Sequence, residues 1–350
     1  MSGFEMTCPL PIDVTSTVQM AHGGGGRASQ RLFEQVFLPA FDHPALAARH
    51  DSAVVEVGGV RVAFTTDTYV VKPLFFPGGD IGKLAIYGTV NDLAMAGATP
   101  LYLSVGFVIE EGLPLEMLTR VTRSMREAAA EAGVAVVTGD TKVVDRGKGD
   151  GIFINTAGVG LVSGVVDVRP SRVHPGDVVL VSGDVGRHGI AIMSVREGLE
   201  FESELESDCA PLNGIAAAIL REGGHGVHCM RDLTRGGLSS ALNEIATACG
   251  GDIHVEESAI SVCDAVAGAC GLLGLDPLYV ANEGRMAVFV APERADAVLA
   301  AMRAQPAGGG ATIIGRVEPA DAGGRVLLRT ALGSTRILDM LNGEQLPRIC

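Results

Sequence analysis

Over residues 29–41 the apolar positions Leu32, Phe33, Val36 and Phe37 recur at helical spacing. They predict a helix entered from the polar, glycine-rich stretch 13–28. From Ser52 the period changes to two. Ala53 to Val57, the pair Gly58-Gly59 and Val60 to Thr66 read as a β-hairpin, which sets Asp67 at the end of the second arm. Helical spacing returns over 82–97 and 115–133, and 135–138 and 152–162 read as strands, with a polar loop over 142–150 between them. These elements make a first α/β unit. The run Arg169-Pro170-Ser171-Arg172-Val173-His174-Pro175-Gly176 then interrupts regular structure. Beyond it the pattern predicts a strand over 177–182, helices near 187–197, 212–222 and 237–249, and apolar strands near 278–281 and 286–290. The closing stretch 341–350 carries Gly343 and Pro347 and reads as an unattached tail, with a reach of about 30–35 Å if extended.

Composition narrows the function. With 47% hydrophobic residues in 350, the chain has ample material for a core and is not a disordered protein. Lys and Arg number 27 against 41 Asp and Glu, and the resulting charge of −14 repels nucleic acid and anionic membrane alike. The absence of Trp and the 4% aromatic content disfavour base-stacking platforms. Seven cysteines, an odd number with no C-x2-C pair, point to a reduced, cytoplasmic chain. The opening Met1-Ser2-Gly3-Phe4-Glu5 lacks the basic end and apolar run of a signal peptide.

Candidate chemistry lies on glycine loops and aspartates. Gly23, Gly25 and Ala28 formally fit a G-x-G-x-x-A pattern, but no βαβ unit surrounds them and a dinucleotide site is rejected. Exposed amides at Gly23, Gly24, Gly25 and Gly26 suit an anion nest over phosphates as well as they suit a flexible loop. The run 78–83 lacks the hydroxyl residue after lysine that a P-loop requires. Asp67, Asp92, Asp140 and Asp232 each stand where an apolar segment meets a polar one. Any one alone is better read as a helix cap; together, beside Thr and Gly, they suit Mg²⁺ and nucleotide phosphates. The alternating Glu200, Glu202, Glu204, Glu206 and Asp208 read as a solvated edge, and His225 and His228 as loop residues. Cys350 ends the chain on its tail, where a thiol can serve as an acceptor or carrier on a swinging arm; by spacing alone it is more often incidental.

Eight segments in order resemble one family: 21–26, Thr66 to Val71, Pro77 to Gly82, Gly88 to Gly97, Gly139 to Val143, Arg231 to Gly237, Asn282-Glu283-Gly284-Arg285 and the closing Pro347-Arg348-Ile349-Cys350. They are similar to the HypE family of hydrogenase maturation proteins, carbamoyl dehydratases grouped with aminoimidazole ribonucleotide synthetase and selenophosphate synthetase. The resemblance spans nearly the whole chain, and its most discriminating part is the terminal cysteine motif. Leu233 departs from it, standing where the family pattern has proline.

The resemblance implies an α/β (α+β) protein of two domains of the aminoimidazole ribonucleotide synthetase-like type. The expected divisions are 1–50 for a glycine-rich loop and helix, 51–168 for ATP binding and dimerisation, 169–335 for a C-terminal α/β domain, and 336–350 for a mobile tail. It implies a homodimer whose N-terminal sheets close into a barrel. ATP is expected on Gly23, Gly24, Gly25, Gly26, Thr66, Asp67, Asn91, Asp92, Gly139 and Asp140, and Mg²⁺ on Asp67, Asp92, Asp140 and Asp232. The carbamoyltransferase HypF would load Cys350, and the HypC–HypD iron-carrying complex would receive the cyanide. Glu283 and Lys142 are implied for deprotonation, Glu283 as the preferred base, although a lysine of lowered pKa reverses the assignment. The alternatives are an ATP-dependent kinase or amidine-forming synthetase of the same fold acting on a free small molecule, and a non-catalytic carrier or scaffold.

Overall fold

A computed structural model describes residues 17–164, 166–198, 205–320, 323–343, 346 and 349–350. The chain start, Glu200, Glu202, Glu204, Pro347 and Arg348, all read above, lie outside the described residues. Among the described residues the strands form a five-stranded sheet, a seven-stranded sheet and a two-stranded ribbon.

The hairpin forms as its alternation predicts. Ala53–Val57 pairs antiparallel with Val60–Tyr69, and Val57 meets Val60 across Gly58-Gly59. The first sheet runs Ala53–Val57, Val60–Tyr69, Ile152–Val162, Ala98–Glu110, Ala135–Val144. The long strand Ala98–Glu110 was not predicted; the register shifts between Pro100 and Tyr102, which accommodates the proline.

One face of this sheet is covered by Ile81–Met95, which packs against Leu115–Ala132. Asp80 caps the first helix, its Oδ1 accepting from the amides of Gly82 and Lys83 at 2.7 and 3.1 Å. The hydroxyl of Ser124 donates to its other oxygen at 2.6 Å, tying the two helices together. Val121, Met125, Ala128 and Ala132 form the buried stripe of the second helix. The opposite face of the sheet leaves Phe64, Tyr102 and Leu161 exposed. The edge strand Ala135–Val144 exposes Val136, Val137 and Val143 as well.

The second sheet runs Thr335–Ile337, Val326–Arg329, Asp252–Glu256, Thr312–Glu318, Val178–Val181, Met286–Val290, Val227–Asp232. The expected helices appear as Arg187–Glu197, Asn213–Gly223 and Gly237–Cys249. Residues 278–281, read as a strand, contain instead a 3-10 turn at Pro277–Tyr279, capped by Asp276, whose side chain accepts from the amide of Leu278 at 3.0 Å. The first helix of the chain is segmented into Arg27–Leu32, a π turn Phe33–Phe37 and Leu38–Phe41.

The largest correction concerns the tail. Its apolar residues find cover: Leu346 and Ile349 are 9% and 6% exposed and join the core cluster that links the two domains. The carbonyl of Leu341 accepts from the amide of Arg27 at 2.9 Å, and that of Cys350 accepts from the amide of Val70 at 3.1 Å. The described residues of the tail are docked rather than unattached.

Gly139 pairs with Val105 just past the bulge at Val137, and a Cβ there would lie 2.4 Å from the Val105 carbonyl oxygen. We expect Gly139→Ala to cost about 1–3 kcal/mol through this overpacking. Urea unfolding checks it; an unchanged midpoint would show that the strand yields without cost.

Candidate active site between the glycine loop, the acidic strand ends and the tail

Three segments distant in sequence bring carboxylates together. Asp51 lies just before the hairpin, Asp92 near the end of the helix Ile81–Met95, and Asp232 at the end of Val227–Asp232; one oxygen of each lies within 4.8 Å of the others. Asp67 joins them from Val60–Tyr69, held by the Tyr69 hydroxyl, which donates to its Oδ2 at 2.9 Å. The hydroxyl of Thr65 donates to Asp92 Oδ2 at 2.7 Å. Of the four aspartates expected to act together, Asp92 and Asp232 thus lie in one cluster with Asp67 beside them, and the cluster also holds Asp51, which the sequence reading did not single out. Its only sequence signal was another acidic residue at the entry to a strand.

Burial, then repulsion from Asp67, Asp232 and Asp51, raises the pKa of Asp92; burial takes Asp232 up to about 6 against the pull of Arg231, with repulsion from Asp67 adding to the rise. Asp51 is raised well above the carboxylate range, again mainly by burial, although Arg231 opposes the shift from 3.0 Å. Its Oδ2 is buried without a hydrogen-bond partner. Closely spaced hard oxygens with an orphaned buried acceptor fit a divalent cation such as Mg²⁺.

Asp140 does not join this group within the chain. Asp67 pairs with Thr156, Thr156 with Val105, and Val105 with Gly139. Three strand spacings, roughly 14 Å, thus separate Asp67 from the position beside Asp140. Asp140 and Lys142 are 72% and 70% exposed on the edge strand and pair with each other at 3.0 Å. Lys142 is likewise not brought to Glu283 within this chain.

Glu283 is placed at the carboxylate group by a fully braced loop. The Asn282 side chain donates to the Leu233 carbonyl at 2.9 Å and accepts from the Gly186 amide at 2.7 Å. The amides of Glu283 and Gly284 both donate to Asp208, each at 3.2 Å. Asp208 is therefore buried and structural, which corrects its reading as part of a solvated edge; Glu206 alone of the described acidic positions is exposed. Burial, then repulsion from Asp232, Asp208 and Asp67, pushes the Glu283 carboxyl well up, with Arg235 opposing. Leu233, the departure from the family pattern, uses its N–H to donate to the Arg285 carbonyl at 3.0 Å, a bond proline lacks.

Cys350 reaches the same place. It lines a cavity of about 390 Å³ with Gly23, Gly24, Thr68 and Arg235. Desolvation first, then Glu283, Asp67 and Asp232, push its thiol up to about 12 against the pull of Arg235. Arg235 is the second residue that the sequence reading did not single out. It remains solvent-accessible, donates to the Gly23 carbonyl at 3.2 Å, and responds to Cys350, Asp67, Glu283 and Asp92, which together outweigh desolvation and raise its pKa.

The remaining expected residues divide. Gly23 and Gly24 border the cavity, whereas Gly25 backs onto Arg235 and Gly26 onto the Leu341 carbonyl, each too close for a Cβ. Thr66 donates to the Thr156 carbonyl at 2.9 Å from an exposed position beside Asp67. Asn91 uses its amide to join the domains: it donates to the carbonyls of Ala210 and Glu283 at 3.1 and 3.4 Å and accepts from the Leu212 amide at 2.7 Å.

The chain matches the AIR synthase related protein N-terminal domain over 49–162 and the C-terminal domain over 174–327. It is 53% identical over 333 residues to carbamoyl dehydratase HypE of Rhizobium leguminosarum bv. viciae, covering 95% of each. The corresponding Escherichia coli K12 protein is 48% identical, over 96% of this chain and all of that one. Among solved structures, hydrogenase maturation protein HypE in complex with ATP aligns with a TM-score of 0.81 at 48% identity, over 95% of this chain and 100% of that one. The HypE–HypF complex aligns at 0.84 and 45%, over 89% and 99%. Identity at this level over nearly the whole chain, together with the two matched domains, makes the chain a member of the carbamoyl dehydratase HypE family within the AIR synthase related proteins.

Proposed function

We propose that the protein uses ATP to dehydrate a carbamoyl group carried on Cys350 to a thiocyanate, whose cyanide becomes an iron ligand in [NiFe] hydrogenase. The observation that carries this reading is the terminal thiol lining a cavity with the glycine loop, in the electrostatic field of Glu283, Asp67, Asp232 and Arg235. The solved relative in complex with ATP supports a nucleotide in the same protein class, and the relative in complex with HypF supports that transferase as the donor of the carbamoyl group.

Converting R–S–C(=O)–NH₂ to R–S–C≡N removes one oxygen and two protons. Hydroxide leaves poorly, so the carboxamide oxygen first attacks the γ-phosphorus and ADP departs as nitrogen gives up one proton. The second N–H proton then leaves as the C–O bond breaks and inorganic phosphate carries the oxygen away. Asp51, Asp67, Asp92 and Asp232 would hold Mg²⁺, which supplies charge neutralisation for phosphoryl transfer. Glu283, fixed by Asp208 and Asn282, is the group assigned to take protons from nitrogen. Arg235, facing the thiol and the acids, orients the carbamoyl group and the developing negative charge.

A homodimer completes this reading. The apolar open face at Phe64, Tyr102 and Leu161, continued by the exposed edge strand, suits closure against a second copy. Such a barrel presents Asp140 and Lys142 of one protomer to the site of its partner, which is how both take part although neither reaches Asp67 in its own chain. The cyanide would then pass to a HypC–HypD complex carrying iron, in the cytoplasm.

Intact-protein mass spectrometry after incubation with the transferase, carbamoyl phosphate and Mg-ATP tests the reading. Wild type gains a carbamoyl group and loses one water only with ATP; Cys350→Ala gains nothing; Glu283→Gln gains the group but loses water about 10²–10⁴-fold more slowly. Equal modification of Cys350→Ala sinks the proposal. Thermal unfolding tests the cation site: Mg²⁺ raises the midpoint of wild type by relieving carboxylate repulsion, and raises that of Asp92→Asn by less. Equal increments would place the cation elsewhere.

A further inference from the structure

The second residue of helix Arg187–Glu197 is His188, a fully buried histidine outside every motif discussed above. Its Nε2 lies 2.6 Å from the carbonyl oxygen of Ile349, the residue before Cys350, and its Nδ1 lies 2.8 Å from the hydroxyl of Ser207. A carbonyl only accepts, so Nε2 carries the proton. In a neutral ring Nδ1 is then a lone pair that accepts from the Ser207 hydroxyl. Ser207 Oγ in turn accepts from the Cys209 amide at 3.1 Å, which turns its own proton toward the ring. Burial lowers the imidazole pKa, opposed by Asp208 and by the Ile349 carbonyl, in keeping with a neutral ring.

Packing holds the same arrangement. The Phe76 ring meets the imidazole edge-on with centroids 5.5 Å apart. Gly189, next in sequence, lies where a Cβ would come within 2.9 Å of the Leu346 side chain, so two successive residues of one helix receive the tail, one by a hydrogen bond and one by leaving room. Ser207 also donates its amide to the Pro77 carbonyl at 2.9 Å in the N-terminal domain, and the adjoining Asp208 holds the Glu283 loop. One short segment therefore braces both the tail anchor and the base.

We propose that His188, oriented by Ser207, is a positioning residue that latches the tail inward and sets where Cys350 stands relative to Glu283. This rests on the reading that Cys350 carries the reacting group. The latch itself is measured on the bare thiol, without transferase or ATP, so its failure is distinguishable from failure of that reading.

The test is the rate of iodoacetamide alkylation at Cys350 in the full chain, followed by peptide mass spectrometry, with buried Cys270 as an internal control for global opening. His188→Phe keeps a ring against Phe76 but has no donor, and alkylation of Cys350 should rise about tenfold, the scale of one buried hydrogen bond. His188→Gln restores an N–H at similar reach and should return most of the protection. Ser207→Ala frees the ring orientation and should give a rise of about two- to threefold. On pre-carbamoylated protein, His188→Phe should lower kcat for dehydration with KM for ATP unchanged. Wild-type alkylation in His188→Phe, or no difference between the Phe and Gln variants, overturns the latch. If His188→Phe also exposes Cys270, Ser207→Ala decides: selective acceleration at Cys350 supports the latch, and none overturns it.

Discussion

Asp51, Asp67, Asp92, Asp232 and Glu283 share one desolvated pocket, and the repulsion among them constrains everything packed around it. At an effective dielectric of about 20, two like charges about 4 Å apart repel by about 4 kcal/mol, so the group ionises fully only with a counter-charge. Arg231 answers Asp51 and Glu244 on one side, and Arg235 answers Asp67, Glu283 and the thiol on the other. Between the two arginines the middle of the group has the donor chemistry that suits a divalent cation. The braced loops follow from the same requirement, because carboxylates that repel must be held by bonds outside the cluster, as Asn282, Asp208, Tyr69 and Thr65 do here.

The tail brings a thiol to this pocket. A thiol at the end of the main chain is tied inward through the carbonyls of Ile349 and Cys350 and through the side chains of Leu346 and Ile349. Inward, the thiol is desolvated among acids and kept protonated, a poor nucleophile. Under the proposed function, loading belongs to an outward position where the thiolate is accessible, and dehydration to the inward one. Release costs a few hydrogen bonds and two apolar side chains, a scale that differential nucleotide binding can offset.

Much of this was legible before the structure. The hairpin over 53–66, the helices 115–133 and 187–197, and the grouping of Asp67, Asp92 and Asp232 rest on period, turn glycines and the chemistry of hard oxygen ligands, which are local signals. What escaped was set by tertiary context. Ala98–Glu110 is a strand despite Gly97 and Pro100 because it is flanked by a partner on each side. Asp51 joins the carboxylate group only once a hairpin and a distant strand end converge on it. The run ending at Asp208 looked solvated because charge alternation says nothing about two backbone amides waiting to be capped. Asp140 and Lys142 lie in a segment that resembles the family's yet stand exposed on the edge strand, away from their own chain's carboxylate group. His188 had no motif to announce it, only a glycine beside it.

The central claim is that phosphate, not water, carries off the carbamoyl oxygen. Protein loaded at Cys350 with an ¹⁸O-labelled carbamoyl group and given one turnover of unlabelled ATP in unlabelled water tests it most directly, by mass spectrometry of the inorganic phosphate. The account predicts one ¹⁸O atom per phosphate released. Unlabelled phosphate, with the label in solvent, would contradict it and reduce ATP to a driver of conformational change.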